Sequence, residues 1–289
     1  MIQQITIIGT GLIGGSLALA AKARGLVAKV VGCDRPEVLE RAEKMGAIDA
    51  GFSDPGQAAA GSEVVVLATP VGAIMDFIDR VAPQLPADVL ITDVGSTKKE
   101  IVDRARAVLG RDAGKRFLPG HPMAGKERSG IEQADAGLFE GAVWLFAPLA
   151  VANASCTAGS GQNIQWRGSQ WVALVEKLGA KAIFMDAERH DRLCAWISHL
   201  PQMMSTALAG ALVEQVGDDP DVQAIGGRAL REMTRIASSP YSMWRDIAMT
   251  NTQNIEEALL RLEQKLAHIR ENLKTAELRE EFERANKFK

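Results

Sequence analysis

The sequence has few cysteines, no long basic run and no long apolar run. Three cysteines, none of them in a C-x-x-C pair, favour buried reduced thiols over a disulfide or zinc framework. The 33 basic residues are balanced by 36 acidic ones, so no nucleic-acid partner is indicated. The apolar segments, such as VVVLA at 64–68, fall far short of the roughly 20 residues that span a bilayer. The start, MIQQITIIGTG, lacks a signal-peptide pattern, so we expect a cytoplasmic protein with no membrane partner.

Short β-branched apolar runs alternate with helical patterns through the first two thirds of the chain. The runs begin near residues 5, 29, 63, 88, 117, 143 and 181. Strands that are apolar on both faces and separated by helices predict a parallel sheet covered on both sides, a doubly wound α/β domain of Rossmann type. We place this domain at residues 1–186, and we predict that its polar segment at 150–170 is a surface loop.

No strand pattern follows Asp186, and helical spacing over 188–215, 221–237 and 251–285 predicts an all-helical second domain at 187–289. Its last segment carries one apolar stripe, formed by Ile255, Leu259, Leu262, Leu266, Ile269 and Leu273. The stripe packs either within the subunit or against a second copy. Because so small a helical domain has little core of its own, we expect a homodimer formed through it.

The first apolar run leads into GTGLIGGS, a G-x-G-x-x-G pattern at the start of a predicted helix. In such a unit Gly9 permits a tight turn, Gly11 lets the backbone approach a pyrophosphate, and Gly14 lets the helix pack against the strand. The first helical N–H groups, at Leu12 and Ile13, then face the phosphates. The stretch therefore predicts a dinucleotide cofactor.

Asp34 follows Gly14 by 20 residues, at the predicted end of the second strand. An acidic residue there binds ribose hydroxyls and repels a 2′-phosphate, which favours NAD over NADP. The adjacent Arg35 could bind that phosphate, so NADP stays possible. Thr69 and Pro70 end the third predicted strand; they are candidates for the nicotinamide edge of the cofactor site, or they only begin the next helix.

Oxidation of an alcohol by a nicotinamide cofactor needs a base, and histidine titrates nearest to neutral pH. His121 follows a predicted strand in GKRFLPGHPMAGKERSG, and ligands of doubly wound sheets collect at the carboxyl ends of strands. His190 and His199 are either directed at this crevice or simply packed, and His268 belongs to a solvated helix face. His190 with Asp191 has no third ligand at a suitable spacing, so no metal is predicted.

Five stretches, in this order and at these separations, resemble the prephenate/arogenate dehydrogenase family of tyrosine biosynthesis. They are GTGLIGGS, DVGSTK, HPMAGKERSG, HDRLCAWISHLP and TRIASSPYSMWRDI. The resemblance runs from Ile5 to about Leu273. It implies a nucleotide-binding domain, a helical domain that dimerises, and NAD-dependent oxidative decarboxylation of prephenate to 4-hydroxyphenylpyruvate and CO₂.

The resemblance also implies roles for single residues. His121 bonds the ring hydroxyl as the base, and Ser96 helps to place that hydroxyl and the nicotinamide. Arg235 binds a substrate carboxylate through its guanidinium fork. His190 is matched as a residue near the active-site cleft. Lys126 either adds positive charge for a dianionic substrate or is a solvated loop lysine.

The chain departs from many relatives in reading SHLPQ where they read S-H-L-P-H, so Gln202 replaces a histidine near the substrate side chain. A neutral amide suits the keto acid of prephenate better than the ammonium group of arogenate, although arogenate or dual use stays open. A 3-hydroxyacid dehydrogenase fits less well, because such enzymes usually use a lysine of the helical domain as the acid/base and residues 188–250 contain no lysine. A non-catalytic NAD-binding sensor would not need His121, Ser96 and Arg235 together.

Overall fold

A computed structural model gives the fold and describes residues 1–126, 128–149, 166–217 and 219–288. The chain divides into two compact units. The first comprises Met1–Asp191 and Ser238–Thr250, and the second comprises Arg192–Ala237 and Asn251–Lys289. The boundary at residues 186 and 187 stays a prediction. The predicted loop at 150–170 lies mostly outside the described residues.

The first unit contains a six-stranded parallel sheet with helices between its strands. The strands are β1 (Ile2–Ile8), β2 (Val27–Cys33), β3 (Ala50–Phe52), β4 (Val64–Leu67), β5 (Leu90–Asp93) and β6 (Phe117–Leu118). Their spatial order is β3-β2-β1-β4-β5-β6. The helices are α1 (Leu12–Ala23), α2 (Pro36–Lys44), α3 (Pro55–Ala59), α4 (Val71–Arg80), α5 (Lys99–Leu109) and α6 (Ala113–Arg116).

Both faces of this sheet are buried, which confirms the doubly wound prediction. Along β4, Val64 and Val66 belong to one apolar cluster, whereas Val65 and Leu67 belong to another. Successive side chains of a strand point to opposite faces, so each cluster covers one face. This burial explains why β4 reads as an unbroken apolar run.

A separate sheet of three strands follows, although the sequence pattern predicts one continuous parallel sheet. It contains β7 (Gly120–Pro122), β8 (Val143–Phe146) and β9 (Lys181–Phe184), in the order β7-β8-β9. β7 is antiparallel to β8, and β8 is parallel to β9. The stretch FLPGHP is therefore two strands, divided at Pro119, which has no N–H to donate to a strand ladder.

The described part of the chain after Phe184 is helical and contains no strand, as predicted. After α7 (Trp166–Lys177), the helices are α8 (Ala187–Cys194), α9 (Leu200–Val216), α10 (Pro220–Ile225), α11 (Arg228–Thr234), α12 (Tyr241–Thr250), α13 (Thr252–Glu271) and α14 (Ala276–Asn286). A π-helical turn, Ala195–His199, joins α8 to α9. Pro201 follows it, and a proline disturbs regular helical bonding to the preceding turn.

The predicted helix over 251–285 is in fact two helices. α13 ends at Glu271, where the Asn272 side chain donates a hydrogen bond of 2.9 Å to the His268 carbonyl oxygen. Leu273 of the predicted stripe therefore lies beyond the helix. Within the isolated chain Ile255 is buried, whereas Leu266 is 54% exposed.

None of the helices in the described part of the chain combines the length and apolar character needed to cross a bilayer. Cys33 and Cys194 are buried thiols, as predicted, and Cys156 lies outside the described residues. Burial, reinforced by the charges of Asp34 and Asp54, raises the pKa of the Cys33 thiol to about 11. Cys33 is therefore protonated at neutral pH.

We expect Gly14→Ala to destabilise the first unit. A Cβ at Gly14 would lie 2.0 Å from the Gly9 carbonyl oxygen and 2.8 Å from Cγ2 of Ile7. Overpacking of this kind costs about 1–3 kcal/mol of unfolding free energy, and thermal denaturation followed by circular dichroism should show a Tm lower by several degrees. The matched control is Gly11→Ala, whose Cβ would meet no atom within 4 Å. Equal Tm values for the two variants would contradict the close packing of α1 on β1.

Candidate active site

The turn between β1 and α1 combines a tight backbone with open space. Gly9 has a φ of +95°, and a Cβ there would lie 2.6 Å from the Ala68 carbonyl oxygen. Gly11, which precedes α1, has open space where a Cβ would lie. No side chain caps the helix at Gly11, and its first turn carries no acidic residue. The N–H groups of Leu12 and Ile13, which have no partner within the helix, can therefore bind a phosphate.

Asp34 is tied to this turn by hydrogen bonds. Its Oδ2 accepts the Thr10 N–H at 2.8 Å, and its Oδ1 accepts the Arg35 N–H at 2.8 Å. The Arg35 side chain is 75% exposed and lies 3.4 Å from the Glu37 carboxylate. The glycine turn and the carboxylate thus form one rigid element that suits a pyrophosphate and a ribose.

The loop after β4 contains a buried polar atom that indicates a ligand. Among the described residues, no group hydrogen-bonds the buried Thr69 hydroxyl, and such groups in folded proteins normally have a partner. Pro70 directly precedes α4, and the Gly72 N–H donates to the Asp246 carboxylate of α12 at 3.1 Å. The residues present therefore fit a bound dinucleotide.

Two buried histidines and an aspartate form a continuous hydrogen-bonded chain. His121 lies in β7, opposite Leu145 of β8, and is 9% exposed. Its Nδ1 lies 2.9 Å from Nε2 of His190. His190 Nδ1 in turn lies 2.8 Å from Oδ1 of Asp191. We call Asp191–His190–His121 the relay.

The Asp191 carboxylate is bound at the N-terminus of α5. Its Oδ1 accepts the Lys98 N–H at 2.7 Å, and its Oδ2 accepts the Lys99 N–H at 2.8 Å. Main-chain N–H groups and the positive end of a helix dipole stabilise a carboxylate in its charged form. The relay therefore ends on a buried anion that can only accept hydrogen bonds.

This acceptor determines where the protons of both histidines lie. His190 must carry its proton on Nδ1, so its Nε2 is an acceptor when the ring is neutral. His121 must then donate from Nδ1, which leaves the lone pair on its Nε2. The geometry thus favours one tautomer of a neutral His121, with the proton on Nδ1 and the lone pair on Nε2.

The loop between β5 and α5 contains Ser96, which the sequence predicts as a site residue, and also Thr97 and Lys98, for which the sequence predicts no role. Ser96, in this loop, is half-buried. The neighbouring Thr97 hydroxyl lies 2.7 Å from the Thr250 hydroxyl of α12. Lys98 is fully buried and bonds both Asp93 and a main-chain carbonyl. The motif DVGSTK was a signal for this loop, but the sequence could not show what the lysine contacts.

The other predicted site residues fall in different places. Lys126 in the first unit is exposed and pairs with the Asp135 carboxylate at 3.2 Å. Gln202, in α9 of the second unit, is buried and donates to the Ile236 carbonyl oxygen at 2.9 Å. Arg235 is exposed and begins a short 3-10 helix, Arg235–Ser238. The substrate roles of these three side chains stay predictions.

Both parts of the chain match family models. Residues 17–158 match the model described as prephenate dehydrogenase, nucleotide-binding domain. Residues 186–287 match the model described as prephenate dehydrogenase, dimerization domain.

Individual relatives agree with these models. A prephenate dehydrogenase of Lactococcus lactis is 32% identical over 87% of this chain, and the match spans 66% of that relative's length. A cyclohexadienyl dehydrogenase of Zymomonas mobilis is 32% identical over 86% of this chain and 81% of its own. The crystal structure of A. aeolicus prephenate dehydrogenase, in complex with hydroxyphenyl propionate and NAD⁺, is 29% identical with a TM-score of 0.83, covering 100% of this chain and 95% of that one. The chain therefore belongs to the prephenate dehydrogenase family.

Proposed function

We propose that this chain catalyses the NAD-dependent oxidative decarboxylation of prephenate to 4-hydroxyphenylpyruvate and CO₂. The relay carries the proposal, because it supplies a buried histidine base in the same compact unit as the glycine turn. The chain spans about two thirds of the Lactococcus lactis relative and nearly all of the A. aeolicus one, and both carry the name prephenate dehydrogenase.

NAD fits the cofactor element better than NADP. Open space at Gly11 and the free first N–H groups of α1 suit a pyrophosphate, and the Asp34 carboxylate suits unphosphorylated ribose hydroxyls. Arg35 extends into solvent beside Glu37, where its charge is partly balanced. When bound, the nicotinamide accepts the hydride from the carbinol carbon of the substrate.

His121 holds the proton of the ring hydroxyl while that hydride leaves. Its Nε2 accepts the proton, and the resulting imidazolium is stabilised through His190 by the Asp191 carboxylate. Loss of CO₂ then makes the ring aromatic, and His121 returns the proton to the phenolic oxygen. The reaction consumes no net proton, so the relay has only to hold one and give it back.

Two further residues complete the proposed mechanism. Ser96, in the loop after β5, orients the ring hydroxyl and the nicotinamide. Arg235 binds a substrate carboxylate with a bidentate guanidinium contact, which a lysine could not reproduce.

Arogenate is a second candidate substrate, favoured by the geometry of Gln202. The amide Nε2 donates to the Ile236 carbonyl at 2.9 Å and to the Thr206 hydroxyl at 3.2 Å. The atom that this amide can offer to a ligand is therefore Oε1, an acceptor. An acceptor suits the ammonium group of arogenate, so these contacts of Gln202 support arogenate as a second substrate beside prephenate.

The first experiment measures nicotinamide reduction at 340 nm with each pairing of NAD or NADP and prephenate or arogenate. We expect the highest kcat/KM with NAD and prephenate. Turnover of arogenate alone would establish the second candidate. No turnover with either substrate, from protein that still binds NAD, would refute both.

Two variants should affect different kinetic constants. We expect His121→Asn to lower kcat by about 10²- to 10⁴-fold, because it removes the base, while the KM for NAD is unchanged.

We expect Arg235→Ala chiefly to raise the KM for the substrate, since it removes a contact made in both ground and transition states. Steady-state kinetics with each substrate varied in turn separates the two effects.

Each variant has a matched control of the same residue type on the surface. His268→Asn changes a histidine that is 41% exposed beside Glu281, and Arg231→Ala changes an exposed arginine of α11. Both controls should keep the wild-type constants. An undiminished kcat in His121→Asn would remove His121 from the chemistry, and an unaltered substrate KM in Arg235→Ala would assign the carboxylate to another group.

We further propose a homodimer formed through the second unit. The model matched by residues 186–287 describes a dimerization domain, and α13 leaves Leu260 and Leu266 more than half exposed in the single chain. Light scattering should give twice the mass of one chain, and Leu266→Glu should shift the measured mass toward that of the monomer. A monomeric wild-type chain would contradict the proposal.

The cytoplasmic location stays a prediction.

A further inference from the structure

An ion pair outside the relay is the most deeply buried pair of charges in the described part of the first unit. The side chains of Lys98 and Asp93 are 1% and 0% exposed, and Lys98 Nζ pairs with Oδ2 of Asp93. Asp93 is the last residue of β5, and Lys98 directly precedes α5. Lysine is almost never fully buried unless it is paired.

Stability alone is a poor explanation for this pair. Removing two charges from water is costly, and well-packed apolar residues of similar size are often as stable as a buried ion pair. The other hydrogen bonds of the pair therefore indicate what it does.

Both side chains hold the main chain of Gly120. The Gly120 N–H donates to Asp93 Oδ1 at 3.2 Å, and the Gly120 carbonyl oxygen accepts from Lys98 Nζ at 2.8 Å. Gly120 itself is confined, because a Cβ there would lie 2.8 Å from Nε1 of Trp144. The residue immediately before His121 is thus fixed on both sides of its backbone.

The loop between β5 and α5, which contains Lys98, also holds the Asp191 end of the relay. The Lys98 main-chain N–H donates to Asp191, while its side chain holds the backbone next to His121. Lys98 therefore sets the distance between Asp191 and the Gly120 main chain. The His121–His190 hydrogen bond must span this distance. That bond, at 2.9 Å, is the step that fixes the tautomer of His121.

We propose that Lys98 and Asp93 are positioning residues, which hold His121 in the orientation and tautomer that make its Nε2 the base. The inference rests on the proposed function for its kinetic consequence, whereas the tautomer itself can be measured without turnover. Misplacement of a catalytic group by about 1 Å can lower a rate by about 10²-fold.

The test compares Lys98→Met, which leaves the Asp93 charge unpaired, with the double variant Asp93→Asn/Lys98→Met, which removes both charges of the pair. The double variant keeps the N–H of residue 98 and therefore its bond to Asp191. We expect it to remain folded with an unchanged KM for NAD and a kcat lowered by about 10- to 100-fold. The matched control is Lys22→Met/Asp49→Asn, another lysine–aspartate pair of the first unit, which should keep its kcat.

Nitrogen-15 spectra of the histidine rings supply the readout that does not need activity. Four histidines give few signals, and His→Asn variants assign them. In the wild type we expect Nδ1–H on both His190 and His121. In the double variant His190 should keep this tautomer, because Asp191 is still held, whereas His121 should lose it.

The outcomes separate cleanly. A double variant with the wild-type kcat and an unchanged His121 tautomer would overturn the proposal. So would loss of its fold while the control remains folded, because the pair would then serve stability. If the wild type turned over neither substrate, the proposed function would fail, and the ring spectra would still decide whether Lys98 and Asp93 set the tautomer.

Discussion

The hydrogen bonds of the relay depend on one buried anion, the Asp191 carboxylate. It accepts the N–H groups of Lys98 and Lys99 at the start of α5, and it accepts the Nδ1–H of His190. Because a carboxylate has no proton to give, it determines the direction of every hydrogen bond that follows it. The tautomer of His121 is therefore decided two residues away in the relay, not at His121 itself.

The loop between β5 and α5 holds both this anion and the main chain next to His121. Its main chain holds Asp191, and its lysine side chain holds Gly120. In a doubly wound sheet the ligand site lies at the carboxyl ends of the strands. Here the loop after β5 binds two segments that come later in the chain, at Gly120 and at Asp191. The division of FLPGHP at Pro119 contributes as well, since it lets His121 leave the parallel sheet and pair with β8.

Some features were predictable because their signals are local. The glycine turn follows from the steric needs of successive residues, and the placing of Asp34 follows from its spacing in a βαβ unit. Other contacts have no such local signal. The Lys126 side chain pairs with Asp135, and Gln202 bonds Ile236, partners that no spacing rule indicates.

The sequence by itself determined the doubly wound and helical parts of the chain, the glycine turn and the candidacy of His121, because periodicity and turn chemistry are written in neighbouring residues. Only the tertiary structure decided that His121 contacts His190, 69 residues later, and that Lys98 lies buried against the backbone of Gly120. Proton positions depend on partners, and partners distant in sequence are chosen by packing. The family could be read from motifs, whereas the direction of the hydrogen bonds that sets the tautomer of His121 could not.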